Sequence, residues 1–82
     1  MTIPILFRRI DARRNMARFY MLSLEPTLFG EVAVLRRWGR MGTRGRQASS
    51  LHATMAEARR VLDRHVARRL RRGYVEVAER IG

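Results

Sequence analysis

The spacing of apolar residues along the chain changes period once. Up to His52 they come in short β-branched and aromatic runs separated by Gly, Pro or clustered charge, and beyond it they recur every three or four positions. "IPILFRRI" (3–10) predicts a first strand, with Pro4 suited to a sheet edge, and "DARRN" (11–15) predicts a polar connection. "ARFYMLSLE" (17–25) predicts a second strand, with Tyr20, Leu22 and Leu24 on one face and Phe19, Met21 and Ser23 on the other. Pro26 and Gly30 supply a turn. "EVAVLRRWGR" (31–40) predicts a third strand, with Val32, Val34, Arg36, Trp38 and Arg40 on one face and Ala33, Leu35 and Arg37 on the other. "MGTRG" (41–45) is a hairpin connection with Gly42 and Gly45 available for positive φ, and "RQASSLH" (46–52) returns as a short polar strand.

The helical period occupies "TMAEARRVLDRHVARRLRRG" (54–73). Thr54 followed by Glu57 is a capping box, and Gly73 is a stop. Met55, Ala58, Val61, Leu62, Val66 and Leu70 make an apolar stripe, and Arg60, Arg64, Arg68, Arg71 and Arg72 line the opposite side. "YVEV" (74–77) either adds a last strand or packs down. No repeat, low-complexity segment or boundary divides residues 1–82, so one domain is expected. The predicted fold is α+β: a small antiparallel β-sheet of four to five strands with one long C-terminal helix packed on one face. The other face, or one rim, must meet solvent or a partner.

Charge sharpens this picture. Apolar content of 46% suits a folded domain, but the net charge is +11, from 18 basic and 7 acidic residues, and all 18 are Arg. Such an excess repels itself unless a polyanion sits nearby, most commonly nucleic acid and next an anionic membrane surface. Guanidinium forks grip phosphates bidentately and stack on bases. A GC-rich genome also exchanges Lys for Arg throughout, but that does not create an excess of positive charge. The membrane reading is disfavoured, because the apolar stripe of the helix is needed for the core and the longest apolar runs, of about four residues as in Val32 to Leu35, are far short of a span.

"MTIPILFRRI" places its charges after its apolar residues, the reverse of a secretory signal, so a cytoplasmic protein is expected. Without Cys there is no disulfide, thiol nucleophile or zinc finger, and with only His52 and His65 no metal or other cofactor is expected. His65 reads as a boundary residue and His52 as a strand end. Asp63 is expected to pair with Arg59 or Arg60. Ser49 and Ser50 have no visible base, and so short a chain has no room for a deep enclosed site, so neither catalysis nor a small-molecule substrate is expected.

"RRWGRMGTRGR" (36–46) holds the single Trp among five arginines and three glycines. Trp38 and Arg40 project from one side of a strand, while Gly39 lets another backbone or a ligand approach closely. Two readings stay open: the indole stacks on a sugar or base while Arg40 grips a phosphate, or Trp38 is a core residue with Arg40 lying over its edge.

"RRWGRMGTRGRQ" resembles the signature of the WGR domain, whose triplet is here Trp38, Gly39 and Arg40. "RFYMLSL" is similar to the aromatic second strand of that family, and "EARRVLDRHVARRLRRGY" to its helix ending in Gly-Tyr, so the resemblance covers roughly residues 15 to 75. WGR domains occur in DNA-damage-responsive poly(ADP-ribose) polymerases, in bacterial regulators of the molybdate type and as small stand-alone bacterial proteins. In the polymerases the domain is a non-catalytic module that binds near the 5′ end of a DNA break and relays that contact to the catalytic part.

The resemblance implies that Trp38 packs on a terminal nucleotide and that Arg40 serves DNA and interdomain contacts. It implies a phosphate contact for Arg18, a basic helix-end position for Arg69 and an aromatic one for Tyr74. Arg46 departs from the Gln that the polymerases favour. With no catalytic part in these residues, no relay within the chain is expected, which leaves the interdomain role of Arg40 open. The expected function is sequence-independent binding of DNA at ends or nicks, through Arg18, Trp38, Arg40, Arg46, Arg69 and Tyr74. The alternative is a protein adaptor whose Trp38–Arg40 surface grips an acidic partner.

Overall fold

A computed structural model describes residues 4–77. Ile3, at the start of the expected first strand, and the carboxylate Glu79 lie outside the described residues. The chain runs β1 (Ile5–Asp11), a 3-10 turn (Ala12–Arg14), β2 (Met16–Pro26), β3 (Val32–Arg40), β4 (Arg46–His52), α1 (Met55–Arg71) and β5 (Val75–Glu76). The five strands form one antiparallel sheet in the order β4-β3-β2-β1-β5. The "YVEV" segment does both things expected of it: Val75–Glu76 is a strand that closes the edge of β1 opposite Phe7 and Arg8, while Tyr74 packs into the core. Helix α1 packs over β3 and β2 and touches β4.

Register fixes which side chains face α1. Tyr20 stands opposite Phe7 and Trp38, Leu22 opposite Ile5 and Arg36, and Leu24 opposite Val34. Phe7, Tyr20, Leu22, Leu24, Val32 and Val34 are buried there with Ala58 and Tyr74, and Ile5, Trp38, Val61, Leu62 and Val66 pack around them. Ala58 is fully buried, so a methyl-sized side chain sets how closely α1 approaches the sheet. The expected apolar stripe is too wide at both ends. Met55 and Leu70 are 38% and 53% exposed, and in the last turn it is Arg69 rather than Leu70 that turns onto the sheet, over the Tyr20 ring.

Both helix ends form as local chemistry dictates. Thr54 accepts from the Glu57 amide at 3.2 Å, while the Glu57 carboxylate reaches one residue ahead of the cap to the Ala53 amide, also at 3.2 Å. At the other end Gly73 takes φ +86°, Gly73 N donates to Leu70 O and Tyr74 N donates to Arg69 O, a Schellman closure. Asp63 pairs with neither Arg59 nor Arg60: the ion pair among the described residues joins Arg14 and Asp11 at 3.7 Å. Exposed pairs at helical spacing gain too little to fix two long side chains.

Thr54→Ala is expected to cost about 1 kcal/mol through the lost cap. Leu62→Ala is expected to cost about 2 kcal/mol, the low end for a core leucine, since Leu62 is only half-buried. Urea melts of the two variants check both values.

Candidate functional site

A row of like charges crosses the sheet on the helix side. Arg9 stands directly opposite Arg18, and Arg18 directly opposite Arg40. Opposed like charges destabilise a sheet. This row lies at the C-terminal end of α1, where a Cβ on Gly73 would come 3.5 Å from Arg9 Nε. The partial negative charge of that helix end offsets part of the repulsion.

The same end carries a concavity of about 530 Å³ lined by Arg18, Trp38, Gly39, Arg40, Arg69, Arg72 and Tyr74. Five of the six residues expected from sequence therefore line one hollow, and among the described residues its wall holds four guanidiniums, two aromatic rings and no carboxylate. The sixth, Arg46, is the cross-strand partner of Trp38 on β4, exposed and outside the lining. Arg72, assigned from sequence to the far side of the helix, is instead the C-cap and lines the hollow. Arg36, placed from sequence on the Trp38 face but given no role there, lies beside the indole, and Arg9, which sequence reasoning passed over, joins the row only through strand register.

Each side chain is held by its element. The Schellman closure folds Tyr74 back beneath Arg69, and the Arg69 guanidinium lies 4.4 Å from the Tyr20 ring centroid and 5.4 Å from that of Tyr74. Its Nε is buried without a hydrogen-bond partner among the described residues, so the rings fix the guanidinium plane. Tyr20 and Tyr74 meet edge to face at 6.2 Å, and Tyr20 stacks on Trp38 at 6.2 Å with 24° between the planes. Arg36 lies 5.2 Å from the Trp38 ring centroid and makes a long, 3.5 Å donation to the Tyr20 hydroxyl. Arg40 Nη1 donates to the Asn15 carbonyl at 3.2 Å, which ties it to the β1–β2 connection.

Trp38 is thus neither core nor free. It is half-buried, with Tyr20 stacked on its ring and Arg36 beside it. Its backbone is fixed by two glycines. A Cβ on Gly39 would come 2.7 Å from Gly45 Cα, and one on Gly45 would overlap the Trp38 carbonyl. The close approach expected at Gly39 is that of another backbone, the returning strand.

A wider hollow of about 680 Å³ lies between β4 and α1, lined by His52, Glu57, Arg60, Val61 and Arg64. Beside it Ser50 Oγ lies 2.8 Å from His52 Nε2, so Ser50 does have a His partner, contrary to the sequence expectation. The pair sits on an edge strand with Ser50 exposed, and the Glu57 carboxylate is committed to the Ala53 amide rather than to the imidazole. Among the described residues no His, Asp or Glu cluster gathers to hold a metal ion, and no helix is long and apolar enough to cross a membrane.

His65 is half-buried, and its pKa lies below the ordinary 6.5, first because burial penalises the charged ring and then through Arg36, Arg68, Arg69 and Arg64. A depressed folded-state pKa means that the unfolded chain takes up the proton first. The contribution of His65 to stability is therefore present above 6.5 and lost as pH falls below it. Thermal melts should show stability falling on acidification below that pH, and His65→Gln should flatten the fall.

The WGR-domain family model matches residues 3–81. This chain belongs to the WGR family. An uncharacterized protein of Sinorhizobium fredii is 41% identical over 66 residues, which cover 80% of this chain and 32% of that protein. A crystallised Bacteroides fragilis protein shares the fold with a TM-score of 0.78 at 21% identity, over 93% of this chain and 20% of that one. The WGR chain thus spans about a third and a fifth of these two longer relatives. The triplet that names the family occupies the end of β3, where Trp38 and Arg40 face the concavity and Gly39 meets the hairpin.

Proposed function

We propose that this WGR domain is a non-catalytic module that binds DNA without regard to sequence. The concavity holds the phosphate backbone, and the indole of Trp38 rests against a nucleotide at an end or nick. The observation that carries this reading is the gathering of Arg18, Arg40, Arg69 and Arg72 around Trp38 and Tyr74, with no carboxylate beside them among the described residues. Such a hollow suits a phosphate beside a planar ring, since guanidiniums supply forked donors and the aromatics a stacking platform. Arg46, next to Trp38 on the outer strand, extends the contact along the backbone. A nucleotide plane reaches the indole face once the Arg36 guanidinium, 5.2 Å from the ring centroid, swings onto a phosphate.

Titrations against blunt, nicked, single-stranded and closed circular DNA test this. Ends or nicks should bind best. With about four to six phosphates neutralised, log K against log salt should slope at roughly −3.5 to −5.5. A flat salt response removes the phosphate contacts and leaves the same surface as a protein adaptor for an acidic partner.

A further inference from the structure

The sheet has a second face, and α1 does not cover it. Strand alternation and register place Leu6, Arg8 and Ile10 of β1, Phe19 and Met21 of β2, Leu35 and Arg37 of β3, and Gln47 and Leu51 of β4 on that side. Two hollows run together there through Met21 and Arg37. One, of about 340 Å³, lies among Leu6, Phe19, Met21 and the Met41–Arg44 loop, and the other, of about 210 Å³, reaches Leu35 and Gln47. Apolar side chains continue the surface outward, with Ile10 and Leu51 each 59% exposed, Met41 41% and Val75 63%. Arg37 stands where the two hollows join, Arg44 lines the larger one and Arg8 is exposed beside it on β1, while the carboxylates in phase with this face, Glu25 and Glu31, lie at the far β2–β3 end.

We infer that this face is a docking surface for an acidic amphipathic helix of another protein, separate from the concavity around Trp38. A sheet bearing a helix on one side has room for another on its opposite side, completing a three-layer arrangement. Apolar side chains from one stripe of such a helix would fill the joined hollows, and its flanking carboxylates would meet Arg8, Arg37 and Arg44. Charge decides against a second copy. Each chain carries +11, and stacking two such faces would oppose the arginine rims. Nucleic acid is disfavoured because Leu6, Phe19, Met21, Leu35 and Met41 line most of the two hollows, so apolar, thioether and aromatic surface outweighs phosphate-binding donors there.

The probe is a synthetic peptide of about 18 residues, five turns of helix, with Leu and Phe along one stripe and Glu on the rest. A scrambled peptide of the same composition is the control. Fluorescence anisotropy should show the amphipathic peptide binding on the order of tenfold tighter than the scrambled one. Amide shift changes should cluster on Phe19, Met21, Leu35 and Arg37. An oligonucleotide should not displace the peptide.

Arg37→Glu, an exposed change that leaves the core alone, should weaken the peptide on the order of tenfold. Met21→Glu should do the same wherever a melt shows it folded. Equal binding of the scrambled peptide, shifts centred on Trp38, or displacement by an oligonucleotide would overturn the inference. So would sedimentation showing a dimer that Met21→Glu dissociates, since the occupant would then be a second copy. None of these outcomes depends on whether the Trp38 concavity binds DNA.

Discussion

Replacing Gly45 with alanine is expected to destabilise the domain by about 3 to 5 kcal/mol, combining the cost of positive φ with that of overpacking. Gly45 takes φ +70°, and its added Cβ would overlap the Trp38 carbonyl and come 2.9 Å from Phe19 Cζ. The obstacles are a backbone and a packed ring, so no flexible tip can move aside. A domain of this length has a stability of only about 4 to 12 kcal/mol, so the loss takes a large share of it. Gly42 is the internal control. It also has positive φ, +88°, but a Cβ there meets nothing within 4 Å. Gly42→Ala should therefore cost only about 1 kcal/mol. Equal melting of the two variants would show that the contact between Gly45 and the Trp38 backbone does not hold the hairpin in place.

Trp38→Ala should lower stability by about 2 to 3 kcal/mol and, separately, weaken DNA binding by about 1 to 3 kcal/mol. The first figure lies below that for a core Trp because the side chain is half-buried, and above that for a surface residue because the indole stacks on Tyr20 at the margin of the core. The second follows from the loss of the stacking platform. Arg40→Ala separates the two effects. Its guanidinium is exposed and donates only to the Asn15 carbonyl, so stability should change little while binding falls. Denaturant melts and titrations on both variants decide the matter. A Trp38→Ala protein that is folded at low temperature and binds DNA like the parent would end the stacking role.

The helix and its ends were legible because their causes are local. Thr54 caps an amide three residues away, and Gly73 lets Tyr74 N reach Arg69 O, five residues back. That second bond makes Arg69 and Tyr74 neighbours in the concavity, so this pair of site residues follows from helix-end chemistry. The faces of β2 and β3 were legible for a similar reason: side chains alternate, and the run Tyr20, Leu22, Leu24 can bury only together. The exposure of Met55 and Leu70, and the turning of Arg69 onto Tyr20 in place of Leu70, depend on how α1 docks on the sheet and have no local signal.

By itself, then, the sequence determined the strands, the capped helix, the triplet of the WGR family and an excess of positive charge in need of a partner. Tertiary structure alone decided that Arg9, Arg18 and Arg40 stand in one row, that Arg72 turns into the hollow, and that Arg46 stays outside it. It also decided that Trp38 is a half-buried wall of that hollow rather than a core residue or a free ring. The physical reason is range. Caps, turns and alternation are set by forces acting over a few residues, whereas the concavity joins the ends of β2 and β3 to the end of α1, and only strand register and helix docking bring those together.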